Sequence, residues 1–308
     1  IGLPSEIDAD FLTELCDASA IARLLPKRPL DGHKGTFGSL LVLAGSRQFI
    51  GAPVLATTAA FRTGAGLVTL AAPETASRLA GPTLAEQVHL PLRETPDGHV
   101  AVSAVNELRA AAEKSNALVI GPGLGDVDST RGLLQALLLT EPYLATPSVI
   151  DADALNALAQ TYRWWESLKS PAVLTPHPGE MGRLLGQTVS QVQRDRVVTA
   201  QQAARKWGKV VVLKGAHTVV VSPDGRTAIS PFANPALASA GTGDVLSGVI
   251  GALLAQGLLP YDAARLGVYV HAAAAELVTR KIGSSGLLAS DLNPEIPVAM
   301  HRLRRDYP

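Results

Sequence analysis

Short runs of wholly apolar residues recur along this chain, and they constrain its fold more than any other feature. They are GSLLVLAG (38–45), GLVTLAAP (66–73), ALVIGPG (117–123), SVIDAD (148–153), AVLTPHP (172–178) and VVVLKG (210–215). A strand with one wet face alternates apolar and polar residues. These runs do not alternate, so both faces of each strand are covered, as in a parallel sheet flanked by helices. Helical patterns at 52–63, 104–114, 129–139, 153–160 and 190–207 fall between the runs. The βαβα rhythm predicts one doubly wound α/β domain. A hairpin follows at 217–230, where Pro-Asp-Gly joins two β-rich runs, and two helices are predicted at 242–256 and 261–279. Residues 1–30 read as an N-terminal helical extension or linker, with a helical piece over 8–25 and a Pro- and Lys-containing link after it.

Composition bears on partners. Of 308 residues, 47% are hydrophobic and 18% charged, which supports a large core and argues against disorder. Lys+Arg and Asp+Glu both total 27, so no global charge recruits nucleic acid or an anionic membrane. The longest apolar stretch, 245–259, contains Ser247 and Gln256 and falls short of the roughly 20 residues of a membrane span. One cysteine, Cys16, allows no intrachain disulfide and fits a reducing compartment such as the cytoplasm. No signal peptide is expected. The start at Ile1 rather than Met fits a trimmed chain or the tail of a longer polypeptide.

In open α/β sheets the ligand crevice lies beyond the carboxyl ends of the strands, so the loops there carry the functional reading. AGTGD (240–244) leads into a helix with almost no charge. Glycines bring backbone N–H groups close to a ligand, and a helix N-terminus adds unpaired N–H groups and partial positive charge. Gly241, Thr242 and Gly243 therefore make an anion hole for a phosphoryl group, and Asp244 at its mouth is placed to take a proton from the attacking hydroxyl. The helix end is expected to keep Asp244 ionised. The alternative is that Thr242 or Asp244 only caps the helix. In TPHPGE (175–180), prolines hold His177 in an extended loop, with Glu180 entering a helix. Such a pair suits a polar substrate and a hydrated Mg²⁺, or else it is a strand exit with an exposed histidine. KGAHT (214–218) offers Lys214 as a point charge for phosphate, with the alternative of a solvated lysine before a hairpin. GPGLG (121–125) lacks the spacing of a dinucleotide fingerprint. Trp164 and Trp165 read as packing or oligomer contacts.

Taken in order, HKGTFG, VLAGS, GAPVLA with RTGAGLV, GPGLG, DADALN (151–156), TPHPGEM, LKGAHT, NPALASAGTGDVLSG and YVHAAAAEL (269–277) resemble the ADP/ATP-dependent NAD(P)H-hydrate dehydratases of the ribokinase-like superfamily, from about His33 to Asp291. The resemblance implies an α/β, mainly parallel sheet between helical layers, with residues 31–308 as the dehydratase domain. It implies that ADP or ATP phosphorylates the ring hydroxyl of the S-form of hydrated NADH or NADPH, that phosphate then leaves, and that the dihydronicotinamide is restored. By motif position Asp244 resembles the family's base and Gly241–Gly243 its anion hole. Lys214, Gly215, Ala216, His217, Thr218 and Gly243 fall on the adenine nucleotide positions. Ala52, Gly123, His177 and Asp244 fall on the hydrated dinucleotide positions. Related kinases place magnesium with Asn-x-x-Glu, and His177 to Glu180 has that spacing, so Glu180 is the candidate for Mg²⁺, through water. Ala240 stands where the family usually has Gly. IGLP is similar to the tail of the epimerase domain often fused ahead, and relatives are homo-oligomers, often tetramers or larger. Two alternatives stay open: a ribokinase-like small-molecule kinase of the hydroxymethylpyrimidine or pyridoxal type, and a non-catalytic nucleotide-binding module.

Overall fold

The apolar runs form the middle of a single sheet. The structure, a computed structural model, describes residues 12–307. Its strands are β1 (Thr13–Leu15), β2 (Ser39–Leu43), β3 (Leu67–Pro73), β4 (Val88–Leu92), β5 (Ala117–Ile120), β6 (Ser148–Ile150), β7 (Ala172–Leu174), β8 (Val210–Leu213), β9 (Val219–Val221) and β10 (Thr227–Ile229). The helices are α1 (Ala18–Ala22), α2 (Gly51–Thr63), α3 (Glu74–Ala80), α4 (Val105–Glu113), α5 (Asp128–Leu138), α6 (Asp153–Ala159), α7 (Trp164–Ser167), α8 (Pro178–Leu185), α9 (Val189–Arg194), α10 (Arg196–Trp207), α11 (Thr242–Ala255), α12 (Pro260–Ile282) and α13 (Ala289–Asp306).

Across the sheet the order is β1-β10-β9-β8-β7-β6-β5-β2-β3-β4. Pairing is parallel from β4 to β8, antiparallel at β8–β9 and β9–β10, and parallel again at β1–β10. The chain winds outward in both directions from the β2–β5 pair, a topological switch point where the following loops diverge and open a crevice.

The absence of alternation in the runs has the expected cause. Along β2, Leu40 and Val42 enter one core, while Leu41 and Leu43 enter the other. The first core packs the sheet against residues of α2, α11, α12 and α13, and the second against residues of α4, α5, α6, α8 and α10. Trp164 is buried in the second core, with Trp165 and Trp207 at 5.8 and 5.2 Å between ring centroids.

Four departures from the sequence reading have physical reasons. The helix predicted over 8–25 is instead β1 followed by the five-residue α1, with residues 8–11 outside those described. β1 closes the sheet edge along β10, and Cys16 and Ile21 are buried in the first core. The helix predicted over 190–207 breaks at Asp195, whose extended backbone ends α9 and whose carboxylate accepts the Val198 N–H at 3.0 Å to start α10. Among the described residues β4 pairs only with β3, and an edge strand tolerates Pro91. α13 forms despite Pro294 and Pro297 because Leu292, Ile296, Ala299 and Leu303 recur at helical spacing and are all buried.

Candidate active site

The carboxyl ends of β6, β7 and β8 and the N-terminus of α11 converge on one group of charges. Gly241 begins it, in the left-handed region at φ 87, where a Cβ would lie 2.6 Å from Leu55 Cδ1 and 3.1 Å from Ala289 Cβ. This turn starts α11 without a side-chain cap. The helical ladder opens with the Val245 N–H donating to Gly241 O at 3.2 Å. Among the described residues, no acceptor meets the amides of Gly241, Gly243 or Asp244. They are the unpaired donors that a helix start presents to an anion. Ala240 is not among the non-glycine residues at positive φ, so its methyl group is tolerated where the family usually has glycine.

Asp244 is partly exposed in the first turn. Burial, and next the charge of Asp151, push its carboxyl up to about 7. The expectation that the helix end keeps Asp244 ionised is therefore corrected. Desolvation and neighbouring carboxylates raise its proton affinity, and the group is poised near neutrality.

Asp151 closes β6 and is fully buried. Its Oδ1 accepts from Lys214 Nζ at 2.8 Å and its Oδ2 from Ser247 Oγ, on α11, at 2.7 Å. Burial opposes its charge, but Lys214 outweighs that and holds the carboxyl below its ordinary value. Burial likewise opposes the charge on Lys214, and Asp151 and Glu180 outweigh it, so the ammonium is held above the ordinary lysine value. Glu180 Oε2 lies 3.7 Å from the same Nζ.

Glu180 and His177 lock each other at the start of α8. The His177 N–H donates to Glu180 Oε2 at 2.8 Å, while His177 Nδ1 accepts from the Gly179 and Glu180 amides at 3.0 and 3.3 Å. Burial and then Lys214 lower the imidazole pKa, which suits a neutral ring acting as acceptor. The ring remains half exposed, with Nε2 3.4 Å from Glu180 Oε1.

A cavity of about 460 Å³ opens beside α11, lined by Lys214, Gly215, Ala216, Thr218, Thr242 and Gly243 and closed by Phe232, Leu246 and Val268. His217 is not part of its wall. Its backbone N–H donates to Phe232 O at 2.9 Å, and its ring Nδ1 lies 3.1 Å from Ser230 O. Ala52 and Gly123 meet across the switch point: Ala52 Cβ lies 3.0 Å from where a Gly123 Cβ would stand. Leu55, one turn along α2 from Ala52, touches the Gly241 turn. Lys214, Gly215, Ala216, Thr218 and Gly243 thus share the cavity wall, Ala52 and Gly123 lie against each other at the switch point, and Asp244 directly follows Gly243.

The sequence model of the family described as NAD(P)H-hydrate dehydratase matches residues 40–298. The chain belongs to the NAD(P)H-hydrate dehydratase family. It is 41% identical over 271 residues to an ADP-dependent (S)-NAD(P)H-hydrate dehydratase of Neisseria meningitidis, covering 87% of this chain and 86% of that one. It is 42% identical to a bifunctional NAD(P)H-hydrate repair enzyme Nnr of Moorella thermoacetica, over 99% of this chain and 58% of the relative. The chain thus spans little more than half the length of that relative. The crystal structure of the ADP/ATP-dependent NAD(P)H-hydrate dehydratase of Bacillus subtilis, co-crystallized with ATP/Mg²⁺, superposes with a TM-score of 0.80 at 34% identity, covering 94% of this chain and 98% of that one. The sheet and its helical layers have the ribokinase-like arrangement.

Within this family member, Asp151, Ser247 and His271 join the site without having been singled out from the sequence. Asp151 stands in DADALN and His271 in YVHAAAAEL, so both motifs were visible, but no single-residue signal marked these two. The donor set also bears on magnesium. Asp151, Glu180 and Asp244 against one ammonium leave an excess of carboxylate, which suits a hard divalent cation. Among the described residues, no group of three or more His, Cys, Asp or Glu is placed to hold a metal ion.

Proposed function

We propose that this chain dehydrates the S-form of hydrated NADH or NADPH at the expense of ADP or ATP. One observation carries the reading: a carboxylate poised near neutrality stands at a helix start whose Gly241, Gly243 and Asp244 amides meet no acceptor among the described residues, next to a cavity lined by Thr242 and Gly243. The nucleotide lies in the cavity along Lys214, Gly215, Ala216, Thr218 and Gly243, and its terminal phosphate meets the amides of Gly241, Gly243 and Asp244. The hydrated ring lies in the crevice by Ala52, Gly123 and His177. Asp244 removes the proton of the ring hydroxyl as its oxygen attacks the terminal phosphorus, and the phosphoanhydride bond breaks to release AMP or ADP. The C–O bond then breaks, phosphate departs, and an adjacent ring carbon gives up a proton to restore the double bond. Lys214, fixed by Asp151, faces the charge that builds on the phosphoryl oxygens. Mg²⁺, when bound, neutralises phosphate charge, and Glu180 is the residue we assign to it, through water.

The names of the Neisseria and Bacillus relatives support the substrates and the phosphate donor. The bifunctional relatives support an epimerase as partner, fused or separate. Assembly as a tetramer or larger, and a cytoplasmic setting, rest on the family and on the lone Cys16. No helix among the described residues is long and apolar enough to cross a membrane.

The test is to incubate enzymatically hydrated NADH with the protein, Mg²⁺ and either ADP or ATP. Return of reduced-nicotinamide absorbance with release of free phosphate is the expected result, and the productive nucleotide identifies the donor. A lasting phosphate ester without that return would instead make the chain a small-molecule kinase.

A further inference from the structure

His271 on α12 is more than nine-tenths buried, and its two ring nitrogens face different demands. Nε2 lies 2.9 Å from the carbonyl oxygen of Thr242. A carbonyl only accepts, so Nε2 carries the hydrogen and donates it. Burial lowers the imidazole pKa to about 4, so the ring is neutral at physiological pH. In a neutral imidazole with its hydrogen on Nε2, Nδ1 bears a lone pair and only accepts. Among the described residues no donor meets Nδ1. The ring itself forms part of the wall of the 460 Å³ cavity, in a mainly apolar stretch with Leu246, Val268 and Phe232. A lone acceptor on such a wall fixes the orientation of whatever fills it.

We infer that His271 Nδ1 accepts a hydrogen bond from the bound nucleotide, from either the adenine 6-amino group or a ribose hydroxyl, while Nε2 of the same ring pins the first turn of α11. The inference rests on reading the cavity as the nucleotide site. It makes one side chain touch both the nucleotide and the turn that carries Asp244 and the free amides.

Calorimetric titration of ADP tests it. His271→Gln places an amide N–H where Nε2 stood and lacks an acceptor at the Nδ1 position, so the bond to Thr242 O is retained. His271→Gln is expected to keep a melting temperature near that of the wild type and to bind ADP about tenfold more weakly, the effect of one hydrogen bond. Inosine diphosphate lacks the 6-amino group, and 2′-deoxy-ADP and 3′-deoxy-ADP each lack one hydroxyl. The analogue missing the true donor is expected to bind the wild type about tenfold more weakly than ADP and to lose nothing further in His271→Gln. Unchanged ADP affinity in that variant overturns the inference. So does equal binding of all four nucleotides to the wild type, which needs no variant to fold. If the wild type binds none of the four, the nucleotide reading of the cavity itself falls.

Discussion

At the scale of single residues, Asp244 shows what sequence alone conceals. Its position at a helix start promises a stabilised carboxylate, yet burial and Asp151 raise its proton affinity to a pKa of about 7. A base works only when unprotonated, so kcat/KM is expected to fall as pH drops through about 7, whereas an unperturbed carboxylate would give a limb near 4. A pH–rate profile from pH 4 to 9 measures this, and a limb below 5 would contradict it. Stability carries the same signature. The folded carboxyl keeps its proton up to about pH 7 and the unfolded one only to about 4, so the native state binds more protons between those values. Native stability therefore drops as pH rises through that window and stays reduced above it. Asp244→Asn removes the penalty and is expected to unfold at higher urea concentration at pH 8, by on the order of 2 kcal/mol once partial solvent exposure is allowed for. The gain should vanish below pH 4, and a gain that persists there would point to another cause. Asp244 and Lys214 stood out because each borders a loop with glycines. Asp151 was not, because a carboxylate between an apolar strand and a helix looks like an ordinary cap until Lys214 and Ser247 are seen to converge on it.

Among elements, α11 determines the geometry of the site. It packs against α2, α12 and the strands β5, β6 and β2, which explains a helix nearly free of charge. Gly248 is where it meets α2: a Cβ there would stand 2.1 Å from Ala56 O. Backbone cannot yield as a side-chain tip does, so Gly248→Ala must separate the two helices. The expected loss is about 2–3 kcal/mol in urea unfolding, and an unchanged midpoint would mean that the crossing is looser than described. The apolar runs made the central strands readable, since burial on both faces writes itself into every residue. The edges did not follow that code. β4 carries His89 and Pro91 because one of its sides pairs with no described strand, and α13 carries two prolines because its buried stripe outweighs them. Local propensity loses to tertiary packing at both.

For the molecule as a whole, the same sheet both builds two cores and opens the crevice at its switch point. The segment from Thr13 to Ala22 is part of this body: β1 extends the sheet and Cys16 is 3% exposed, its thiol pushed up to about 11 by burial and by Glu14. Cys16 should resist Ellman's reagent at pH 8 in the native protein and react fully in urea. Fast native labelling would show that this segment does not stay docked. Asp244 directly follows Gly243 of the cavity wall, and the proposed reaction needs both substrates to reach it. Replacing Asp244 by Asn therefore tests the mechanism most directly, with ADP binding and turnover of hydrated NADH measured on the same preparation. Turnover should fall by about two to four orders of magnitude while ADP affinity stays near that of the wild type. Turnover within a few-fold of the wild type would contradict the role assigned to Asp244.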